Sequence, residues 1–371
     1  MVKELIFFTT RTLTERDFKR FQFEFFLKED FRITVCNLAF LFEYEEVFLK
    51  PFSNSLNHKN LDSYDSLNCF LSKINIGNTC LILLFPINSK TIDFYKLISK
   101  YKLNYINIKL GLTSSPYSDY KRIVIRLYYF LFKLFYNLKP AQIIFYAGSI
   151  AKHNLYDFKT NFDTKLISVS SLDYLNALNT INKKKIDQPY FVFIDEMYVS
   201  HPDFKGLDVM KMSEKKYFTE INTILKKIQK KYNLKPIVCL HPRSDKRWES
   251  NFDFETIKNQ TRELIGYSNF VLTHSSTAIS YAVLFYKPII QIKMNTYSKY
   301  FLNALENYNK ELETDILHFN NCFDTKNLKL VVNKELYNLY IKNYFNDNSN
   351  SKLYSKELIK ILKSNNKCVV L

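Results

Sequence analysis

Glycine is scarce, at five residues in a chain of 371, and neither GxGxxG nor GxxxxGKS/T occurs. Dinucleotide binding by the usual fingerprint and P-loop phosphoryl transfer therefore lack their glycines. The six cysteines, at positions 36, 69, 80, 239, 322 and 368, form no CxxC pair and have no histidine at ligand spacing. That speaks against a disulfide framework and a structural metal site, so no metal ligand is assigned, and reduced thiols in the cytoplasm are expected. No apolar run is long enough to span a bilayer. The nearest, from Ile123 to Tyr136, is broken by Arg126 and Lys133. The opening MVKELIFFTTRT is too short in apolar residues for a signal peptide and reads as a first strand. The final CVVL has the form of a prenylation box, a match short enough to arise by chance.

Apolar material is ample, with 47% hydrophobic and 16% aromatic residues. A chain of this length usually divides into two domains with a cleft between them. The formal net charge of +17 favours polyanionic partners, although a lysine-, asparagine- and phenylalanine-heavy vocabulary from an AT-rich genome gives the same excess. No nucleic-acid-binding motif accompanies the charge, so nucleic acid is not expected as a partner.

Apolar strands alternate with helical patterns from the start. ELIFFTT, RITVCNLAFLF, TCLILLFP, NYINIKL and AQIIFYAGS read as strands, and TERDFKRFQFEFFLK as a helix behind a cap-like Thr14-x-x-Asp17. A polar segment at Lys183–Gln188 precedes a second series, PYFVFIDE, PIVCL, NFVLT and PIIQI. Beyond Asn295 the apolar strands stop and a polar helical tail follows. The fold class is α/β: two facing Rossmann-like domains with parallel sheets, residues 1–185 and 186–371, the second carrying the tail. In helix 118–137, Arg122, Arg126 and Lys133 share one narrow face at 100° per residue. Peripheral attachment to an anionic membrane and a core helix with one solvated stripe both account for that pattern.

Three second-domain stretches end strands where open α/β sheets bind ligands. In LHPRSDKRW, Pro242 fixes the turn that presents His241, and Arg243 adds charge. A histidine there can donate to a phosphate oxygen or protonate a leaving group. In LTHSSTAISYA, His274, Ser275, Ser276 and Thr277 precede a helix whose free N–H groups favour an anion, the alternative being plain N-capping. In FIDEMYVSHPDF, Asp195 and Glu196 end a strand, with His201 and Asp203 following. A carboxylate there suits a general base or, equally, a loop cap or salt bridge.

The order of an acidic pair, His-Pro and Ser-Ser along a second Rossmann-like domain resembles the bacterial GT-B glycosyltransferases of the sialyltransferase type, encoded with capsule and lipopolysaccharide genes. The resemblance implies an inverting, metal-independent transferase with no cofactor beyond its donor. That donor is a CMP-activated acidic sugar, passed to a glycan or glycolipid acceptor held by the first domain. His241 assists the departing CMP, Ser275 and Ser276 contact its phosphate, and Asp195 or Glu196 supplies the base. Met197 stands where the family has glycine, and the acidic motif opens the second domain rather than lying in the first, so Asp17 is a rival base. A UDP-sugar transferase and a non-catalytic polysaccharide-assembly subunit remain as alternatives.

Overall fold

A computed structural model describes residues 2–43, 55–114, 119–179, 186–200, 212–319, 328–347 and 352–364. The chain forms two units, residues 1–112, 123–172 and 343–371 in the first and 113–122 and 173–342 in the second.

The first unit is built on seven parallel strands: β1 (Glu4–Thr9), β2 (Arg32–Asn37), β3 (Asn57–Asn60), β4 (Thr79–Leu83), β5 (Tyr105–Lys109), β6 (Ile143–Ala147) and β7 (Lys165–Val169), in the order β3-β2-β1-β4-β5-β6-β7. Interior strands of a parallel sheet are covered on both faces and so read as unbroken apolar runs. Leu5 and Phe7 of β1 join one core cluster, while Ile6 and Phe8 join the cluster on the other face. Residues 343–371, expected with the second domain, belong instead to the first unit. Helix Tyr354–Ser364 places Tyr354, Leu358 and Leu362 in the core of Leu5 and Phe7.

That docking explains a second departure. The helix expected through TERDFKRFQFEFFLK is two helices, Glu15–Arg20 and Phe23–Lys28, parted where Gln22 adopts φ +54°. The break turns the Gln22 carboxamide toward the C-terminal helix, where its Oε1 accepts from Ser355 Oγ at 2.7 Å. A tertiary contact overrides helix propensity here. The cap reading of Thr14 and Asp17 holds, because Asp17 Oδ2 accepts from Thr14 N at 3.1 Å.

Gly148, after β6, has φ +77°, and a Cβ there would lie 2.3 Å from the carbonyl oxygen of Asn343. The obstacle is backbone and cannot swing aside. Gly148→Ala is expected to lower stability by about 3 kcal/mol or more, from strain and overpacking together. Urea unfolding of the two chains measures it.

Helix Asp119–Phe135 departs in part from the expected single solvated basic stripe: Arg126 is exposed, but Lys133 is half-buried and an apolar face is exposed as well. Arg126 Nη2 donates to Asn154 Oδ1 at 2.6 Å and Lys133 Nζ to the Phe158 carbonyl at 3.1 Å, whereas Ile123, Leu127, Phe130 and Phe135 are exposed. Among the described residues no helix is long and apolar enough to cross a membrane.

The second unit holds six parallel strands: β8 (Tyr190–Ile194), β9 (Lys235–Leu240), β10 (Glu255–Lys258), β11 (Val271–Thr273), β12 (Ile289–Met294) and β13 (Asp315–Phe319), in the order β10-β9-β8-β11-β12-β13. β13 lies beyond Asn295, where no further strand was expected. Helix Glu214–Tyr232 covers one face and buries Tyr217, Phe218, Ile221, Ile224, Leu225 and Ile228.

Candidate functional site

In the second sheet the chain departs from β8 in both directions, β9 and β10 lying on one side and β11, β12 and β13 on the other. Strand order therefore reverses between β8 and β11, the place where open α/β sheets bind ligands beyond their C-terminal strand ends. β8 runs out into Asp195–Glu196, β9 into His241–Pro242, and β11 into His274–Ser275–Ser276. The His241 and Ser275 turns are thus two strand spacings apart, about 10 Å.

The acidic pair joins those turns. Asp195 and Glu196 are buried, 2% and 7% exposed. Asp195 Oδ1 accepts from Met197 N at 3.0 Å, while Oδ2 accepts from His241 N at 3.2 Å and Trp248 Nε1 at 2.9 Å. Glu196 faces the other way. Its Oε1 accepts from Thr273 Oγ1 and His274 N, both at 2.8 Å, and from Ser275 N at 3.0 Å. The base role expected of this pair does not fit such burial and engagement. Each carboxylate holds the exit turn of a neighbouring strand. Met197, which replaces the resembled family's glycine, sits at φ +49°, a left-handed conformation that favours glycine.

His241 is half-buried, and its Nδ1 accepts from Arg243 N at 3.2 Å. In the neutral ring the proton is thereby assigned to Nε2, a donor. Ser244 Oγ donates to the His241 carbonyl at 2.8 Å and tightens the turn. Pro242 and Arg243 are exposed. Lys258 Nζ donates to the Ser244 carbonyl at 2.7 Å and so anchors one cation at the turn, while Arg247 pairs with Glu214 at 3.0 Å.

His274 is a correction. Expected at a phosphate, it is fully buried among Phe193, Tyr198, Tyr217 and Tyr297. Tyr297 gives its hydroxyl proton to the Ile292 carbonyl at 2.7 Å, so at His274 Nδ1 it accepts, and Nε2 accepts from Tyr217 Oη at 3.1 Å. Burial pushes the imidazole down to about 3, and the ring is a neutral core group.

The serine pair also differs from expectation. Helix Ile279–Leu284 begins three residues after Ser276 and has no side-chain cap, and the His274 and Ser275 amides are taken by Glu196. What the turn presents is hydroxyl groups. Ser275 and Ser276 are half-buried and Thr277 is exposed, with Ser276 Oγ accepting from Ala278 N at 3.2 Å. His201 and Asp203 lie outside the described residues, as do Cys322 and the C-terminal CVVL. Asp17, the rival base, is 3% exposed and paired with Arg11 at 2.6 Å.

Residues that sequence reasoning missed are the supports: Trp248, Thr273, Tyr217 and Tyr297. Trp248 carried a signal, being the sole tryptophan and standing seven positions after His241.

Opposite titrations follow from this burial. Desolvation raises Glu196 from 4.5 to about 7. The folded chain then keeps a proton that the unfolded chain has released, and stability falls as pH rises through that window. His274 runs the other way, from 6.5 down to about 3, so its contribution is lost as pH falls. Between pH 4.5 and 6.5 the two slopes oppose each other. Glu196→Gln removes the glutamate slope, and relative to this variant the wild type should lose about 3 kcal/mol between about pH 4.5 and 7. Urea unfolding of both chains at the two ends of that range tests the sign.

No protein-family model matches the chain, and no curated protein does. Among solved structures, the wall teichoic acid polymerase TagF aligns over 97% of this chain and 87% of its own at 13% identity, with a TM-score of 0.53. UDP-GlcNAc 2-epimerase from Methanocaldococcus jannaschii aligns over 98% and 99% at 15% identity and 0.47, and the spinosyn forosaminyltransferase SpnP over 98% and 99% at 11% and 0.48. At such identities the likeness is one of fold. With two parallel, doubly wound sheets and a TagF-like course along nearly its whole length, the chain has the GT-B fold.

Proposed function

We propose that the protein is a glycosyltransferase that binds the phosphate of a nucleotide sugar at the strand-end rim of its second sheet. One observation carries this reading: buried Asp195 and Glu196 fix the His241 and Ser275–Ser276 turns on either side of the point where strand order reverses. Two turns braced from one strand keep their spacing without a ligand, which is the preorganisation that charge stabilisation needs.

In the reaction an acceptor hydroxyl attacks the anomeric carbon while the bond from that carbon to the phosphate oxygen breaks. One displacement inverts the centre. Negative charge grows on the departing phosphate, where His241 Nε2–H and the Ser275 and Ser276 hydroxyls donate to it. The acceptor's proton goes to a base other than the Asp195–Glu196 pair, whose oxygens are occupied. The donor's finer identity, a CMP-activated acidic sugar, rests on the resemblance carried by His241-Pro242 and Ser275-Ser276.

A donor screen tests the reading, measuring nucleotide release from CMP-, CDP- and UDP-linked sugars with glycan and glycolipid acceptors. Release of one nucleotide well above the rest is expected, CMP foremost. UDP release would keep the transferase and discard the CMP assignment. Nucleotide binding without release from any donor would favour the assembly-subunit alternative.

A further inference from the structure

We infer that the outer face of helix Asp119–Phe135, with the basic hollow beside it, is a docking surface for an anionic phospholipid bilayer. The inference is independent of the transferase reading. From Ile123 onward the helix exposes Ile123, Val124, Leu127, Phe130, Leu131 and Phe135, the last 83% exposed. At 100° per residue these side chains lie on one continuous face. Soluble monomers rarely leave an aromatic and aliphatic face of this kind uncovered.

Charge around the face identifies the occupant. From Tyr120 to Tyr156 the sequence contains six lysines and arginines and no aspartate or glutamate. Half-buried Lys133 and exposed Arg126 both reach the loop after helix Ser149–His153, and a hollow of about 370 Å³ opens there, lined by Lys133, Lys152, His153 and Asn161 among others. In the same loop Phe162 is fully exposed. An apolar face beside a cationic hollow matches a lipid, with acyl chains against the helix and a phosphate headgroup among the lysines. A second copy meeting this face symmetrically would oppose cation to cation, which disfavours it.

Co-sedimentation of the full chain with phosphatidylcholine vesicles, and with vesicles that also contain phosphatidylglycerol, tests the inference. Binding should favour the anionic vesicles by at least about tenfold and persist in part at high salt, because the apolar face inserts. Leu127→Glu with Phe130→Glu, checked for unchanged circular dichroism, should weaken binding by about tenfold or more. Lys152→Glu with His153→Glu should remove the preference for phosphatidylglycerol. No binding to either vesicle, or equal binding by the Leu127/Phe130 variant, overturns the inference. So does a wild-type dimer in light scattering that the same variant dissolves while vesicle binding is absent.

Discussion

His241→Ala is expected to slow nucleotide release by about 10²- to 10⁴-fold at saturating donor, the range associated with a positioned proton donor or a preorganised charge-stabilising group. The fall should appear mainly in kcat, because the phosphate carries more charge as it leaves than in the bound donor. Stability should change little: the ring is half-buried, and its Nδ1 accepts from the Arg243 N–H in an exposed turn. A steady-state assay beside a urea melt separates the two quantities. Equal turnover by variant and wild type would remove His241 from the chemistry.

Asp195→Ala should have the largest effect on the fold. It strips the acceptor from the N–H groups of Met197, His241 and Trp248 at once. Each buried donor left without a partner costs about 1–3 kcal/mol, and a loss of about 3–5 kcal/mol is expected overall. Asp195→Asn should cost roughly half as much, since an amide offers one oxygen to two groups of donors that face opposite ends of the side chain. Trp248→Phe removes one of those donors and should lose less in the Asp195→Asn background than in the wild type. The expected coupling is about 1 kcal/mol, read from a double-mutant cycle in urea. Because Asp195 also fixes the His241 backbone, Asp195→Asn should slow nucleotide release although the carboxylate meets no substrate. Full activity in a folded Asp195→Asn chain would deny it that positioning role.

Much of the fold is legible in the sequence, and the omissions share a cause. All nine interior strands of the two sheets appear as apolar runs, while β3, β7, β10 and β13, the four edges, do not. An edge strand meets water along one side and carries polar residues, as NHKN in β3 and ETIK in β10 do. The Gln22 break is invisible for another reason: its cause, Ser355, lies 333 residues away.

At the site, the turns are legible but the directions of their side chains are only partly so. Along β11 alternate residues share a face, and Leu272 belongs to the core that holds Phe193 and Tyr217. That alternation sends His274 inward with Leu272 and leaves Ser275 on the side of Thr273. Applied to the motif, the rule separates His274 from Ser275. Nothing comparable fixes Asp195 and Glu196. A carboxylate at a strand end reads the same whether it faces a ligand or braces a neighbouring turn, and only the strand order reveals which turns lie within reach.

The central claim is that a nucleotide's phosphate is met at the β9 and β11 exit turns. The most direct measurement is a crystal structure of the protein with the nucleotide identified by the donor screen. The phosphate should lie within hydrogen-bonding distance of His241 Nε2 and of the Ser275 or Ser276 hydroxyl, with Asp195 and Glu196 still holding their turns. A nucleotide bound elsewhere, with its phosphate remote from these side chains, would contradict the account.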